Sequence, residues 1–309
     1  MDTLETLTTL TYRTENRIAR ITLNRPERGN GITPDMPREL AQCVERANLD
    51  PKVHVIALSG NGKGFCGGYD LVMSAEARMI DSSGEHTAIP EGSPLHPRTI
   101  FENHDPNQTW DPMVDFAMMH RNVRHFMSLF TSDKPVVCKV HGFCVAGGTD
   151  MALCSDLLII EDTAKIGYPP ARVWGVPTTA VWAHRIGIEK TKRLLFTGDC
   201  LSGTEAVAWG LASESAPREA LDQRFEILLE RIARVPINQL MMMKLLVNQT
   251  VMGAGLPTAQ VLGTVFDGIA RHTREGYTFQ RRAAEAGFKQ AVHERDDPFG
   301  DFGPSTFKG

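Results

Sequence analysis

His141-Gly142-Phe143-Cys144-Val145-Ala146-Gly147-Gly148-Thr149-Asp150 is the stretch that decides the reading of this chain. It follows a short apolar run, Pro135-Val136-Val137-Cys138-Lys139-Val140, that reads as a buried strand. Its glycines therefore fall just beyond a strand end. The same arrangement occurs earlier, where Val53-His54-Val55-Ile56-Ala57-Leu58 precedes Gly64-Phe65-Cys66-Gly67-Gly68-Tyr69-Asp70. Glycine lets backbone and ligand approach closely without steric cost. Two unshielded backbone N–H groups converging on one point would form an oxyanion hole, which stabilises negative charge developing on a carbonyl oxygen. The residues alone leave two readings open: such a hole, or two ordinary strand-to-helix turns.

Working outward, Ile18 to Leu23 alternates like a half-buried strand, and Pro26 stops it. Met36, Leu40, Val44 and Ala47 recur at helical spacing, which predicts an amphipathic helix from Pro37 to Asn48. The strand at 53–58 then completes a βαβ unit. After the second turn, a helix is expected to begin near Gly147 and run through Cys154, followed by a buried strand at Leu157–Ile160. From Thr204 onward the pattern is mainly helical, with an apolar segment at Leu240–Val247 and one or two amphipathic helices between Phe266 and Val292.

Residues 80–112 break this pattern. They are rich in Pro, Ser, Asp and Glu, and they carry His86, His96, His104 and Trp110. A loop of this length inside a compact domain is either functional or mobile. It is read as a lid over a pocket or as a solvated surface loop. The histidine spacing matches no common metal motif, so no metal site is expected. Met113 to Phe130 resumes a helical pattern whose methionines suit packing or pocket lining.

Composition narrows the function classes. The chain has 309 residues and 42% hydrophobic content, enough for one large core. A formal net charge of −4 and the absence of basic runs argue against nucleic acid as a partner. No apolar stretch is long enough to span a membrane, and Met1-Asp2-Thr3-Leu4-Glu5 does not look like a signal peptide, so a cytoplasmic protein is expected. The six cysteines show neither a CxxC pair nor zinc spacing, and they read as buried thiols.

The two glycine turns are accompanied by further motifs in a fixed order. These are Leu23-Asn24-Arg25-Pro26-Glu27-Arg28-Gly29-Asn30, then Lys134-Pro135-Val136, then Thr197-Gly198 with Ser202, Glu205-Ala206 and Gly210-Leu211, and finally Pro298-Phe299. Together they make the chain resemble the enoyl-CoA hydratase/isomerase (crotonase) superfamily, from about Thr11 to about Phe302 with one insertion. The resemblance implies an α/β fold with a crotonase-like ββα spiral core over residues 1–200, interrupted by the insertion at about 80–112. It implies a C-terminal helical region over 201–309 that trimerises and closes the coenzyme A site. The oxyanion donors would be the Tyr69 and Gly147 amides. Arg28, Asn30, Cys66, Gly68, Asp70, Leu71 and Gly148 would border coenzyme A, with Phe266 and Lys289 approaching from the C-terminal helices. Asp70 itself reads as a cap that fixes its turn. Coenzyme A enters as part of an acyl-CoA thioester substrate, with no permanently bound cofactor, and a homotrimer or dimer of trimers is expected.

Two positions depart from the family pattern. Ordinary hydratases of the superfamily use one Glu shortly after the second-turn glycines and another in a later QPE segment. Here the first is Asp150, and the second aligns with Pro170 in Ile166-Gly167-Tyr168-Pro169-Pro170-Ala171-Arg172. Proline has no proton to give, and a one-residue slip recovers no acid. The expected activity is therefore nominal hydration or dehydration of enoyl-CoA with Asp150 as the acid/base. Tyr69 or Tyr168 would be weak acids, and His141 would pair with Asp150 to activate water. Arg172 would counter Asp150, bind an acidic acyl group or serve a structural ion pair. The alternatives are a carbon–carbon hydrolase or isomerase using His141 and Asp150, and a non-catalytic acyl-CoA binding protein.

Overall fold

The computed structural model of the protein describes residues 4–70 and 89–300. Strands β1 (Glu5–Thr6), β2 (Leu10–Glu15) and β3 (Ile18–Leu23) open the chain, followed by helix α1 (Asp35–Leu49) and β4 (Val55–Gly60). Helices α2 (Pro97–Asn103) and α3 (Pro112–Thr131) lead to β5 (Val136–Val140), β6 (Phe143–Val145) and the short helix α4 (Gly147–Ala152). Next come β7 (Leu157–Glu161), β8 (Lys165–Gly167), helices α5 (Trp182–Ile186) and α6 (Ile188–Thr197), and β9 (Cys200–Leu201). The chain continues through α7 (Gly203–Trp209), β10 (Glu214–Ala216), α8 (Arg218–Ala233), α9 (Ile237–Gly253), α10 (Leu256–Arg271), α11 (Arg274–Ala286) and α12 (Phe288–Asp296).

The strands form two sheets, one ordered β1-β2-β3-β4-β5-β7-β10 and one ordered β6-β8-β9. In the larger sheet β1, β2 and β3 are antiparallel, and every pairing from β3 to β10 is parallel. Parallel strands need crossovers and have both faces covered, which is why β4 and β5 read as continuous apolar runs rather than as alternating ones. Successive residues serve opposite cores. Ile56, Leu58, Val136 and Cys138 join the large core with α1 and α3, whereas Val55, Ala57, Val137 and Ile159 meet Leu221, Phe225 and Leu229 of α8 on the other face.

The strand predicted at 18–23 is found with those bounds, and α1 extends the predicted helix by about one turn in total. The strand predicted from Val53 starts at Val55, because the Val53 and His54 amides are spent on the carbonyls of Asp50 and Arg17. Helix α4 stops at Ala152 rather than reaching Cys154. The amphipathic pattern from Phe266 resolves into the end of α10 plus α11 and α12, separated by the Thr273 cap and by Gly287. Sequence after residue 201 is not purely helical, since β10 extends the main sheet beside β7.

The stretch read as a loop at 80–112 contains helix α2, which Pro97 starts and His96 caps by accepting from the Arg98 amide at 3.2 Å. Residues 80–88 of that stretch, with His86, lie outside the described residues. Among the described residues no helix is long and apolar enough to cross a membrane. Helices α9 and α10 expose a set of large apolar side chains, among them Met242, Leu245, Leu246, Val261, Leu262 and Phe266.

Candidate active site

The second sheet brings the two glycine turns together. Phe65 donates to the Phe143 carbonyl at 2.9 Å, and Val145 donates to the Cys66 carbonyl at 3.1 Å. Ile32 clamps the far side of the first turn, donating to Gly68 at 2.8 Å and accepting from Asp70 at 3.0 Å. The Tyr69 amide between those contacts has no acceptor among the described residues, and neither does the Gly147 amide at the start of α4. The turns are pressed together so closely that side chains are excluded. A β-carbon at Gly68 would stand 3.4 Å from the Gly147 nitrogen, and one at Gly147 would meet the Tyr69 ring at 2.7 Å.

Ala146, which caps α4, adopts φ 54° and ψ −131°. This region is sparsely populated for a residue with a side chain and costs roughly 1–3 kcal/mol. It is held by Ala146 donating to Gly167 at 3.2 Å and by its carbonyl accepting from the Thr149 amide at 2.9 Å and hydroxyl at 2.6 Å. Where the turns meet, two amides are left without acceptors among the described residues, one of them at a helix N-terminus, where negative charge is favoured.

Asp150 lies in the first turn of α4 and is only 1% exposed. Its Oδ1 accepts from the Thr179 amide at 3.2 Å and the Thr179 hydroxyl at 2.8 Å. Its Oδ2 is buried and has no partner among the described residues. Burial pushes the carboxyl up to about 7; the Thr179 bonds oppose the rise, and the Asp267 charge adds to it. Tyr69 and Tyr168 face the same space. Burial raises both phenols far from neutrality, and the Asp150 charge raises them further. Tyr69 accepts from Asn122 Nδ2 at 3.3 Å, and Tyr168 donates to the Val176 carbonyl at 2.9 Å. Both therefore stay protonated near neutral pH.

Asp267 was not singled out in the sequence, where it sits in an apolar run, Val265-Phe266-Asp267-Gly268-Ile269. In the fold α10 carries it to the site at 7% exposure. Its Oδ1 accepts from the Val176 amide at 3.4 Å, and its Oδ2 lies 3.2 Å from Arg271 Nη2. Burial raises this carboxyl too, with Arg271 opposing.

Other expected residues do different work. His141 is not brought to Asp150. Its Nε2 donates to the Gly62 carbonyl at 2.9 Å, and the charges around it belong to Arg218, Lys139 and Glu161, so the expected His–Asp pair does not form. The reason is register: His141 ends β5 on the side of the first turn, and β6 intervenes before α4. Arg172 does not face Asp150 either; it binds Asp296 at 2.9 Å and the Thr197 carbonyl at 2.8 Å, and it stacks on Phe299. Pro170 lies in a 3-10 turn whose carbonyl collects the amides of Val173, Trp174 and Gly175.

Asn30, expected at the coenzyme A border, is fully buried. Its Nδ2 is shared among the carbonyls of Asn61, Gly64 and Phe65, so the side chain builds the turn. Cys66 is likewise buried, with Sγ 3.1 Å from the Asn30 carbonyl. Gly68 and Gly148 serve close packing, since a β-carbon at Gly148 would stand 2.6 Å from the Cys66 carbonyl oxygen. Asp70 is clamped by Arg25 at 2.9 Å and Arg28 at 3.5 Å, consistent with fixing its turn, and Arg28 remains partly exposed. Leu71 lies outside the described residues. Phe266 and Lys289 are exposed on α10 and α12.

One group has the composition of a metal site: His104, Asp115 and His272, whose ligand atoms lie within 4.8 Å of one another. Asp115 Oδ2 is already taken, and Oδ1, which makes no hydrogen bond among the described residues, faces Arg271. Asp115 Oδ2 accepts from Trp110 at 2.8 Å, His272 at 2.9 Å and Asn103 at 3.1 Å, while Arg271 sits 3.1 Å from Oδ1. A cation beside the Arg271 guanidinium would be repelled. The cluster instead ties residues 103–110 to α3 and to the end of α10, with His272 stacked between His104 and Trp110.

Comparisons with known proteins show the family of the chain. The model of the enoyl-CoA hydratase/isomerase family matches residues 13–89 and 114–281. A crystal structure of an enoyl-CoA hydratase from Mycobacterium smegmatis is 52% identical and superposes with a TM-score of 0.90 over 97% of both chains. EchA13 of Mycobacterium tuberculosis, which bears an enoyl-CoA hydratase name, is 32% identical over 79% of this chain and 74% of its own. The 1,2-epoxyphenylacetyl-CoA isomerase of Escherichia coli is 27% identical over 76% of this chain and 79% of its own.

Proposed function

This chain belongs to the enoyl-CoA hydratase/isomerase family, which acts on acyl-CoA thioesters, and from that premise we propose that it hydrates an enoyl-CoA, or runs the reverse dehydration. The thioester oxygen is held by the Tyr69 and Gly147 amides as enolate character develops. Asp150 gives a proton to the α-carbon in hydration and takes it back in dehydration. The observation that carries this reading is the buried, partnerless Oδ2 of Asp150 on the same short helix as the free Gly147 amide. With its carboxyl at about 7, Asp150 holds or releases a proton near neutral pH.

Arg28 and the turn at Gly67–Asp70 border the coenzyme moiety. The apolar faces of α9 and α10 are contacts between copies in a trimer or dimer of trimers. The hydrolase reading loses its support because His141 points away from Asp150.

The test follows loss of enoyl absorbance with crotonyl-CoA on wild type, Asp150→Asn and Pro170→Glu. Hydration by wild type and its loss by about 10²–10⁴-fold in Asp150→Asn is the expected result. Thioester binding that stabilises the protein without turnover would overturn the enzymatic reading in favour of a binding protein. A rate that appears only in Pro170→Glu would mean that the natural reaction is another of the family's.

A further inference from the structure

We propose that Asp267 is the second carboxyl of this site and the base that activates water, an inference that rests on the hydration reading above. The wall that carries Pro170 offers no acid of its own, but α10 docks directly on its continuation. Gln260 Nε2 donates to the Thr179 carbonyl at 3.1 Å. A β-carbon at Gly263 would lie 3.3 Å from the Pro177 carbonyl and 3.5 Å from the Thr178 α-carbon. Asp267 Oδ1 takes the Val176 amide. Positions 260, 263 and 267 share one helical face, so that face runs along residues 176–179 from end to end.

This loop also carries the Asp150 contacts. Thr179 holds Asp150 at one end, and Val176 holds Asp267 at the other. Three residues of chain span at most about 10 Å, so one short stretch of loop holds both carboxyls. The Val176 peptide between them donates to Asp267 and accepts from Tyr168, which fixes Tyr168 in the same wall.

The partners divide the roles. Asp267 has Arg271 at 3.2 Å as a counter-charge, whereas Asp150 has only the neutral Thr179. In this reading Asp267 works as the carboxylate and Asp150 as the acid, with Arg271 opposing the burial that raises the Asp267 carboxyl. Asp267 takes a proton from water as the oxygen forms its bond to the β-carbon. The electron pair of the double bond moves to the thioester oxygen at the two amides. The enolate then collapses, and the α-carbon takes the Asp150 proton. One water is added in all, and the proton on Asp267 returns to Asp150 before the next turnover.

The test compares Asp267→Asn, Asp267→Glu and Asp150→Asn in two reactions. One is hydration of crotonyl-CoA. The other is exchange of the α-hydrogen of butyryl-CoA with D2O, which needs Asp150 and the amides but no activated water. Asp267→Asn is expected to lose hydration by about 10²–10⁴-fold while keeping exchange within a few-fold, and Asp267→Glu to recover part of the hydration rate. Asp150→Asn is expected to lose both. Hydration by Asp267→Asn within threefold of wild type, or loss of both reactions in equal proportion, would overturn the role given to Asp267. Wild type that catalyses neither reaction would remove the hydration reading itself, and this role with it. Arg271 keeps Asp115 at 3.1 Å in either Asp267 variant, so its charge is not orphaned.

Discussion

Asp150→Asn should make the protein less active and, at alkaline pH, more stable. The Asp150 carboxyl stands at about 7 in the fold against 3.8 in an ordinary setting, chiefly because it is buried. Well below 3.8 both the folded and unfolded states hold the proton, and burial costs nothing through ionisation. Between 3.8 and about 7 the unfolded chain releases its proton while the folded one keeps it. Stability is therefore lost as pH rises, and the loss levels off above about 7. Each unit of difference is worth about 1.4 kcal/mol, so the penalty is about 2 kcal/mol at pH 5 and about 4 kcal/mol at pH 8.

Asparagine removes that penalty. Its amide oxygen can keep both Thr179 bonds. Its amide nitrogen would replace the partnerless Oδ2 and leave an unsatisfied donor, at a cost of about 1–3 kcal/mol that does not vary with pH. The variant should thus gain roughly 2–3 kcal/mol relative to wild type between pH 5 and pH 8. For a chain of 309 residues this is a relative rise in melting temperature of about 4 °C. Thermal unfolding of both proteins at the two pH values, at one protomer concentration, measures it. An advantage for asparagine that is equal at the two pH values, or larger at pH 5, would refute the claim that burial holds this carboxyl near neutrality.

Thr179→Val deletes the hydroxyl bond that restrains Asp150 and leaves the amide bond, so the alkaline decline in hydration rate should move up by up to about one pH unit, read from the kcat profile. Gly148→Ala forces a β-carbon to 2.6 Å from the Cys66 carbonyl, and it should cost about 1–3 kcal/mol in unfolding experiments and most of the activity as the turns separate. Asp115→Asn removes the carboxylate that Arg271 and His272 share, leaving Asp267 to Arg271, and should cost about 1–3 kcal/mol at pH 7. Burial works to raise the Asp115 carboxyl, but His272 and Arg271 hold it below its ordinary value, so the wild-type advantage should shrink as pH falls toward that depressed value. Leu246→Glu, on the exposed apolar face of α9, should lower the assembled mass seen by light scattering without changing the unfolding of the isolated protomer.

Much of the fold was written locally. The apolar runs at β4, β5 and β7 read as buried parallel strands because they lack a polar face, and the glycines after β4 and β5 marked turns. Tyr69, Gly147 and Asp150 were singled out through the resemblance that the two glycine turns carry, each turn following a strand. Within residues 80–112, Pro97 after His96 was a helix start that the polar composition concealed. His141 misled because proximity along the chain does not survive β6, which turns the backbone between it and Asp150.

The sequence by itself determined the strand-and-turn skeleton and placed Asp150 just after the second turn, since each depends on residues within a few positions of one another. The meeting of the Tyr69 and Gly147 turns is made by the pairing of residues 65–66 with β6. Only the tertiary structure decided what faces them. Asp267 comes from a helix more than a hundred residues downstream of Asp150, and its approach is set by Gln260 and Gly263 docking on residues 176–179. The near-neutral Asp150 carboxyl is also a tertiary property, because desolvation is imposed by everything packed around a group and is not encoded at the residue itself.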